Sequence, residues 1–309
     1  MTFSKKNVIC LAFLTHLFSF CFCANADVML QLFNLSWKEV TEKIPEISEA
    51  GYTSLWLPPP AKGSSGAYSV GYDLFDPFDL GDKDQRGTVR TRYGTKDELL
   101  RMVEVAHRFG LRVYFDNVMN HRGFDVPGYD ANTPTNLYPG LAPQDFHLQV
   151  TQQGYYRNTS NIRDYGSVWQ VLNLSLGGLV DIAQENPNAN FGSYEGAQSP
   201  KIAFVRHPKN PEYYDYHPTS GRVGFGKVTQ SDLDANTDFY KEDVNGYLIR
   251  NVRWLLETTK CDGFRLDAVK HVPDYFFGQQ TGWDKDSSDA GYIGNIQVQF
   301  NITHGFTDS

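Results

Sequence analysis

Apolar positions along the chain alternate between two rhythms. Val28 to Phe33 reads as a strand, and Ser36 with Glu39 then forms a capping box that opens a helix running to about Gly51. Pro45 falls inside that helix and predicts an interruption or a restart. Thr53 to Leu57 is a second, short apolar strand stopped by Pro58, Pro59 and Pro60, and a loop of Gly, Ser, Tyr and Asp extends from Ala61 to about Tyr93. Thr95 and Glu98 repeat the capping box, after which Leu99, Val103 and Ala106 recur at helical spacing until Gly110 closes the helix. Leu111 to Val118, rich in β-branched and aromatic residues, is the third strand, and its end carries Asp116, Val118 and Asn120 at period two. Strands alternating with helices predict right-handed βαβ units and a parallel sheet.

That rhythm breaks from Arg122 to about Ser231, a stretch rich in Asn, Gly, Pro, Tyr and Gln with short apolar runs at Val168 to Leu176 and Ile202 to Val205. A structureless loop of such length is implausible in a compact domain, so the stretch is read as an inserted subdomain with short strands. A helix from about Phe239 to Thr258 and a fourth strand from Gly263 to Asp267 resume the pattern, and Tyr275 to Phe277 reads as a short aromatic helix. The expected organisation is therefore a βαβ first part over 27–121, an inserted subdomain over 122–231 and a resumption of the βαβ pattern over 232–309.

Composition narrows the functional classes. The 309 residues are 40% hydrophobic and carry a net charge of -8, which suits a substantial core and leaves nucleic acid and anionic membranes without a basic footprint to bind. Residues 1–26 have the layout of a secretory signal: Lys5 and Lys6, an apolar run from Val8 to Phe22, and Ala24-Asn25-Ala26 as the cleavage site. A mature chain beginning at Asp27 and secreted to the periplasm or the medium is expected, with an uncleaved anchor as the other reading of that run. Cys10, Cys21 and Cys23 leave with the signal, so Cys261 has no internal partner and is expected to pack as a small apolar residue. Asn34, Asn158, Asn173 and Asn301 stand in glycosylation sequons.

The chemistry-bearing residues gather at strand ends. Gly263-Phe264-Arg265-Leu266-Asp267-Ala268-Val269-Lys270-His271 places Arg265 and Asp267 two residues apart, hence on one face of a strand read as buried. An Arg beside a carboxylate keeps it ionised and oriented, as a carboxylate nucleophile requires, although a structural ion pair uses the same two residues. Asp116-Asn117-Val118-Met119-Asn120-His121 forms the second polar cluster, again at the C-terminal end of a strand, where (β/α)8 barrels build their active sites.

These two segments resemble the Asp-x-Val-x-Asn-His and Gly-Phe-Arg-x-Asp-Ala-x-Lys-His motifs of glycoside hydrolase family 13, the α-amylase family. Gly71-Tyr72-Asp73 and the run from Gly87 to Thr95 resemble the loop before the second helix of bacterial liquefying amylases. The resemblance covers about Val28 to Val272. It implies an α/β (β/α)8 TIM barrel, here truncated after about the fourth strand and helix, with an irregular subdomain inserted after strand 3. It implies retaining hydrolysis of α-1,4-glucosidic bonds in starch or glycogen, with an α-glucan as partner. A cyclodextrin-forming transglycosylase or a non-catalytic glucan-binding relative is the alternative.

Position by position, the resemblance makes Asp267 the nucleophile and Arg265 the residue that keeps it ionised. It makes Tyr72, Asp116, His121, Lys270 and His271 substrate-binding. Calcium is implied as cofactor, with Asn120, Asp234 and the His271 backbone carbonyl as ligands and Asp232 competing with Asp234. Retaining glycosidases also need a carboxyl that protonates the leaving oxygen. In the family this is a Glu at the end of the fifth strand, and no Glu follows Glu257 here. The expectation is a fragment of a longer amylase that is inactive by itself, with open edges on its first and fourth strands.

Overall fold

The computed structural model describes residues 27–128, 137–141, 145–184, 204–206, 216–217, 221–222, 240–242 and 244–277. Residues 1–26, read above as a secretory signal, and Asp232 and Asp234 lie outside them. In chain order the elements are β1 (Met29–Gln31), α1 (Trp37–Glu49), β2 (Ser54–Leu57), β3 (Lys62–Gly63), β4 (Leu74–Asp76), α2 (Lys96–Arg108) and β5 (Arg112–Val118). There follow β6 (Leu148–Val150), β7 (Tyr156–Asn158), α3 (Val168–Asn173), β8 (Phe204–Arg206), β9 (Tyr216–His217), β10 (Gly221–Arg222), β11 (Tyr240–Glu242), α4 (Val244–Thr259) and β12 (Gly263–Asp267).

Four of these strands form one parallel sheet in the order β1-β2-β5-β12, with Leu30 opposite Leu55, Trp56 opposite Tyr114 and Arg265 opposite Asp116. Helices α1, α2 and α4 lie in the connections between neighbouring strands, so the chain has the α/β architecture that its alternation predicts. Among the described residues the sheet is an open arc rather than a closed barrel. The core between sheet and helices is built from Trp37, Val40 and Ile44 of α1, Leu99, Met102 and Val103 of α2, and Leu55, Leu57, Val113 and Phe115 of the strands.

The structure corrects several details. Helix α1 runs unbroken through Pro45. Pro45 lies on the exposed face, while Trp37, Val40, Ile44 and Ile47 bury the opposite stripe. Burying four such side chains gains about 1.5–3 kcal/mol each, which outweighs the ~3 kcal/mol that an interior proline costs. The 168–176 run, read as strand-like, begins as helix α3, capped by the Ser167 hydroxyl accepting from the Gln170 N–H. Helix α4 starts at Val244 rather than Phe239, because 240–242 pairs antiparallel with 204–206. Within the 61–93 loop, β3 and β4 form an antiparallel pair.

Strand β12 is not buried as expected. Arg265 keeps 43% of its side chain exposed and Asp267 17%. The cause is topological, since among the described residues β12 ends the sheet order and pairs only with β5, the open edge expected of the fourth strand. No helix of the described residues is long and apolar enough to cross a membrane.

Candidate active site

The site forms where β2, β5 and β12 end side by side. Pairing β12 with β5 brings Arg265 opposite Asp116. Arg265 Nη1 then donates to Asp116 Oδ1 at 3.2 Å and to Asp267 Oδ1 at 2.6 Å, so one guanidinium nitrogen joins two carboxylates from neighbouring strands. Burial works against the Arg265 charge, but Asp116 and Asp267 outweigh it and raise its pKa above the ordinary value. The face of Trp56, from β2, lies 5.3 Å from the guanidinium carbon and gives the cation an aromatic floor.

Asp116 is the buried anchor, with none of its side chain exposed. Its Oδ1 also accepts from Trp56 Nε1 at 3.1 Å, and its Oδ2 accepts from the Tyr72 hydroxyl. Burial raises the Asp116 pKa, and the hydrogen bonds from Tyr72 and Trp56 together with the Arg265 charge oppose that rise. The Tyr72 phenol is likewise raised, first by burial and then by its bond to Asp116, so it stays a donor. Gly71 holds Tyr72 in place from behind: its φ is +103°, and a Cβ there would stand 2.9 Å from Pro59 Cβ.

His121 Nε2 lies 3.1 Å from the Tyr72 carbonyl oxygen, an acceptor, so that nitrogen carries the proton. Burial pushes the imidazole down to about 4, which keeps it neutral at pH 7. Asn120 Nδ2 donates to Asp181 Oδ1 at 3.0 Å, and His147 Nδ1 approaches Asp181 Oδ2 at 2.7 Å. Residues 120–123, 180–183 and 145–147 are cross-linked by Arg122 N to Val180 O, Ile182 N to Asn120 O and His147 N to Asp181 O, each at 2.9 Å.

After Asp267 the chain turns sharply through Ala268, whose φ is +54°, into a single turn over Val269–His271. That turn carries Lys270 and His271 toward α3. Lys270 Nζ donates to the Tyr165 carbonyl at 3.0 Å and lies over the Tyr165 ring, while His271 Nδ1 donates to Val171 O at 3.0 Å. The structure thus joins Tyr72, Asp116, Arg265 and Asp267 into one polar cluster, tied through the Tyr72 carbonyl to His121. It sets Lys270 and His271 beside Asp267 in sequence but against the 165–171 segment in space.

Sequence reasoning missed Trp56, Tyr165, His147 and Asp181. The Pro58-Pro59-Pro60 stop just after Trp56 was its one signal, because it marks the strand end. The others come from residues 145–181, where periodicity gave no strand register.

Calcium requires several oxygen donors around one point. Among the described residues no group of three or more His, Cys, Asp or Glu side chains surrounds such a point, and both Asp181 oxygens face nitrogen groups of Asn120 and His147. Of the expected ligands, the described residues contain Asn120 and His271, and Asp234 lies outside them. Cys261 is buried and unpaired, and burial pushes its thiol up to about 12, which suits packing rather than reactivity.

A family model described as "Alpha amylase, catalytic domain" matches residues 35–200. The chain belongs to the α-amylase family. It is 31% identical to the cytoplasmic α-amylase of Escherichia coli K12 over 249 residues, covering 78% of this chain and 46% of that protein. It is 29% identical to the α-amylase of Bacillus licheniformis, covering 88% and 52%, and 28% identical to the glucan 1,4-α-maltohexaosidase of Bacillus sp. strain 707, covering 76% and 42%. The chain therefore spans about half the length of the curated relatives it matches. Among solved structures, the α-amylase of Geobacillus thermoleovorans complexed with acarbose matches with a TM-score of 0.49 at 24% identity, over 81% of this chain and 41% of that one.

Proposed function

We propose that this chain carries the nucleophile side of an α-amylase active site, acting on α-1,4-linked glucan with retention of configuration. The observation that supports it most is Arg265 Nη1 lying between Asp116 Oδ1 at 3.2 Å and Asp267 Oδ1 at 2.6 Å at the C-terminal ends of adjacent parallel strands. Asp267, the more exposed carboxylate, attacks the anomeric carbon. The glycosidic C–O bond breaks, and an ester links the sugar to Asp267 until water replaces it. Arg265 is proposed to aim Asp267 through its 2.6 Å bond to Oδ1. Asp116, fixed by Trp56 and Tyr72, and the neutral His121 are proposed to bind sugar hydroxyls, with Tyr72 beneath the ring. Lys270 and His271 are proposed to line the leaving-group side.

Breaking an unactivated glycosidic bond also needs a proton for the departing oxygen. No Glu follows Glu257, so that proton is proposed to come from a Glu supplied outside residues 1–309, as expected for a fragment of a longer amylase, and the chain alone is proposed to be inactive on starch. Calcium at Asn120, Asp234 and the His271 carbonyl is proposed on the motif resemblance only, and no chemical step runs through it. Export by the 1–26 leader is proposed on the same sequence grounds.

A substrate that needs no acid tests the nucleophile directly. Fluoride leaves without protonation, so a maltosyl fluoride carrying a second ring fluorine to slow ester hydrolysis should add one glycosyl mass to the peptide containing Asp267. Asp267→Asn should abolish the adduct. A wild-type chain that binds the sugar yet gains no mass, or gains it elsewhere, overturns Asp267 as nucleophile. Measurable starch hydrolysis by the chain alone overturns the need for an added acid.

A further inference from the structure

A buried charge cluster lies beneath the segment that joins β4 to α2. Lys62, Asp76 and Asp79 are each 0% exposed, a placement that costs several kcal/mol unless every charge is met, on the order of the penalty for burying an ion. Here they are met. Lys62 Nζ has Asp79 Oδ2 at 3.3 Å and the carbonyl oxygens of Lys83, Thr88 and Val89 at 3.2, 2.7 and 2.6 Å. Asp79 Oδ1 accepts from Gly81 N at 2.8 Å and Asp82 N at 3.2 Å, and Gln85 Nε2 reaches both Asp76 at 2.6 Å and Asp79 at 3.2 Å. Three carbonyls and a carboxylate around one ammonium form the oxygen cage that a free cation would occupy.

The segment wrapped around Lys62 then returns to the loop that carries Tyr72. Arg86 Nε donates to Ser64 O at 2.7 Å, Arg92 Nη1 to Tyr68 O at 3.3 Å and the Tyr93 hydroxyl to Val70 O at 3.0 Å. The two runs are pressed together: Gly66 has φ +59°, and a Cβ there would stand 2.5 Å from Arg86 O. Val70 leads directly into Gly71 and Tyr72, whose hydroxyl meets Asp116 and whose carbonyl meets His121.

We propose that Lys62 is a positioning residue for the candidate active site: its ammonium is a tethered cation that folds residues 79–89 around itself, and Arg86, Arg92 and Tyr93 pass that order to Tyr72. The consequence for sugar binding rests on the glucan reading above, whereas the clamp itself does not. A merely stabilising lysine would spread its effect over the whole fold. A positioning lysine concentrates it on residues 64–73.

Lys62→Ala opens an ammonium-sized hole, and hydrogen exchange read by mass spectrometry locates the damage. Expected is an increase of about tenfold or more in exchange across residues 64–73, the size of losing charge-assisted hydrogen bonds, with α1 and β5 unchanged. Methylammonium should restore protection where sodium chloride of equal ionic strength does not. Maltohexaose affinity, by calorimetry, should fall about tenfold and recover with methylammonium, in line with one lost set of charged hydrogen bonds. Exchange that stays unchanged at 64–73, or rises equally everywhere, overturns the proposal.

If Lys62→Ala fails to fold, Tyr93→Phe removes only the bond to Val70 O. Faster exchange confined to 70–72 supports the relay, and no change refutes it. Failure of the unsubstituted chain to bind maltohexaose would overturn the glucan reading while leaving the exchange arms to decide the clamp.

Discussion

Arg265 shows how much one residue's placement decides. Two residues from Asp267 in sequence, it was legible as a charge partner, but its 3.2 Å bond to Asp116 depends on strand pairing across 149 residues. Arg265→Lys keeps the charge but loses the rigid guanidinium plane that sets Nη1 between both carboxylates. Labelling of Asp267 by the fluorinated maltosyl fluoride should slow by about tenfold or more, the size of a charge-assisted hydrogen bond. Intact-mass kinetics would check it. Ala268 is the other telling residue, because a left-handed conformation costs a non-glycine residue roughly 1–2 kcal/mol. Ala268→Gly should therefore raise unfolding stability by up to about 1 kcal/mol in urea titrations, the glycine's extra chain entropy offsetting the rest.

At the scale of elements, capping and stripe burial account for most of what was readable in advance. The Ser36–Glu39 and Thr95–Glu98 boxes are both present, with Ser36 Oγ accepting from Glu39 N at 3.2 Å and Thr95 Oγ1 from Glu98 N at 3.3 Å. Ser36→Ala should cost about 1 kcal/mol, measured as a lowered denaturation midpoint. Pro45→Ala should do the reverse. It returns the missing N–H to an exposed turn of α1, and a gain of about 1–3 kcal/mol is expected from the interior-proline penalty. The misread elements share a cause. Strand β11 and helix α3 are set by partners far away in sequence or by a local cap, and apolar runs of six to nine residues do not tell helix from strand.

The whole molecule adds an effect of pH that no single segment contains. Burial and the neighbouring Asp76 push Asp79 up to about 6 from an ordinary 3.8, while Lys62 and Lys83 oppose the shift. A carboxyl raised on folding holds its proton longer in the folded state. Its contribution to stability is then fully present below 3.8 and is lost as pH rises through about 6. Subtracting the Asp79→Asn stability profile from that of the unsubstituted chain, by urea titration between pH 4 and 7, should give a difference that falls with rising pH. A flat difference would overturn the shift, because folding would then leave the proton affinity of Asp79 unchanged.

The sequence by itself determined the α/β alternation, both helix caps, the family motifs and the identity of Asp116, Arg265 and Asp267, because each is written in local periodicity or fixed spacing. Only the tertiary structure decided that Arg265 of β12 bonds Asp116 of β5, that Trp56 and Tyr72 hold Asp116, and that Lys62 braces the Tyr72 loop. These depend on which strands pair and which carbonyls converge in three dimensions, and local pattern carries no trace of either.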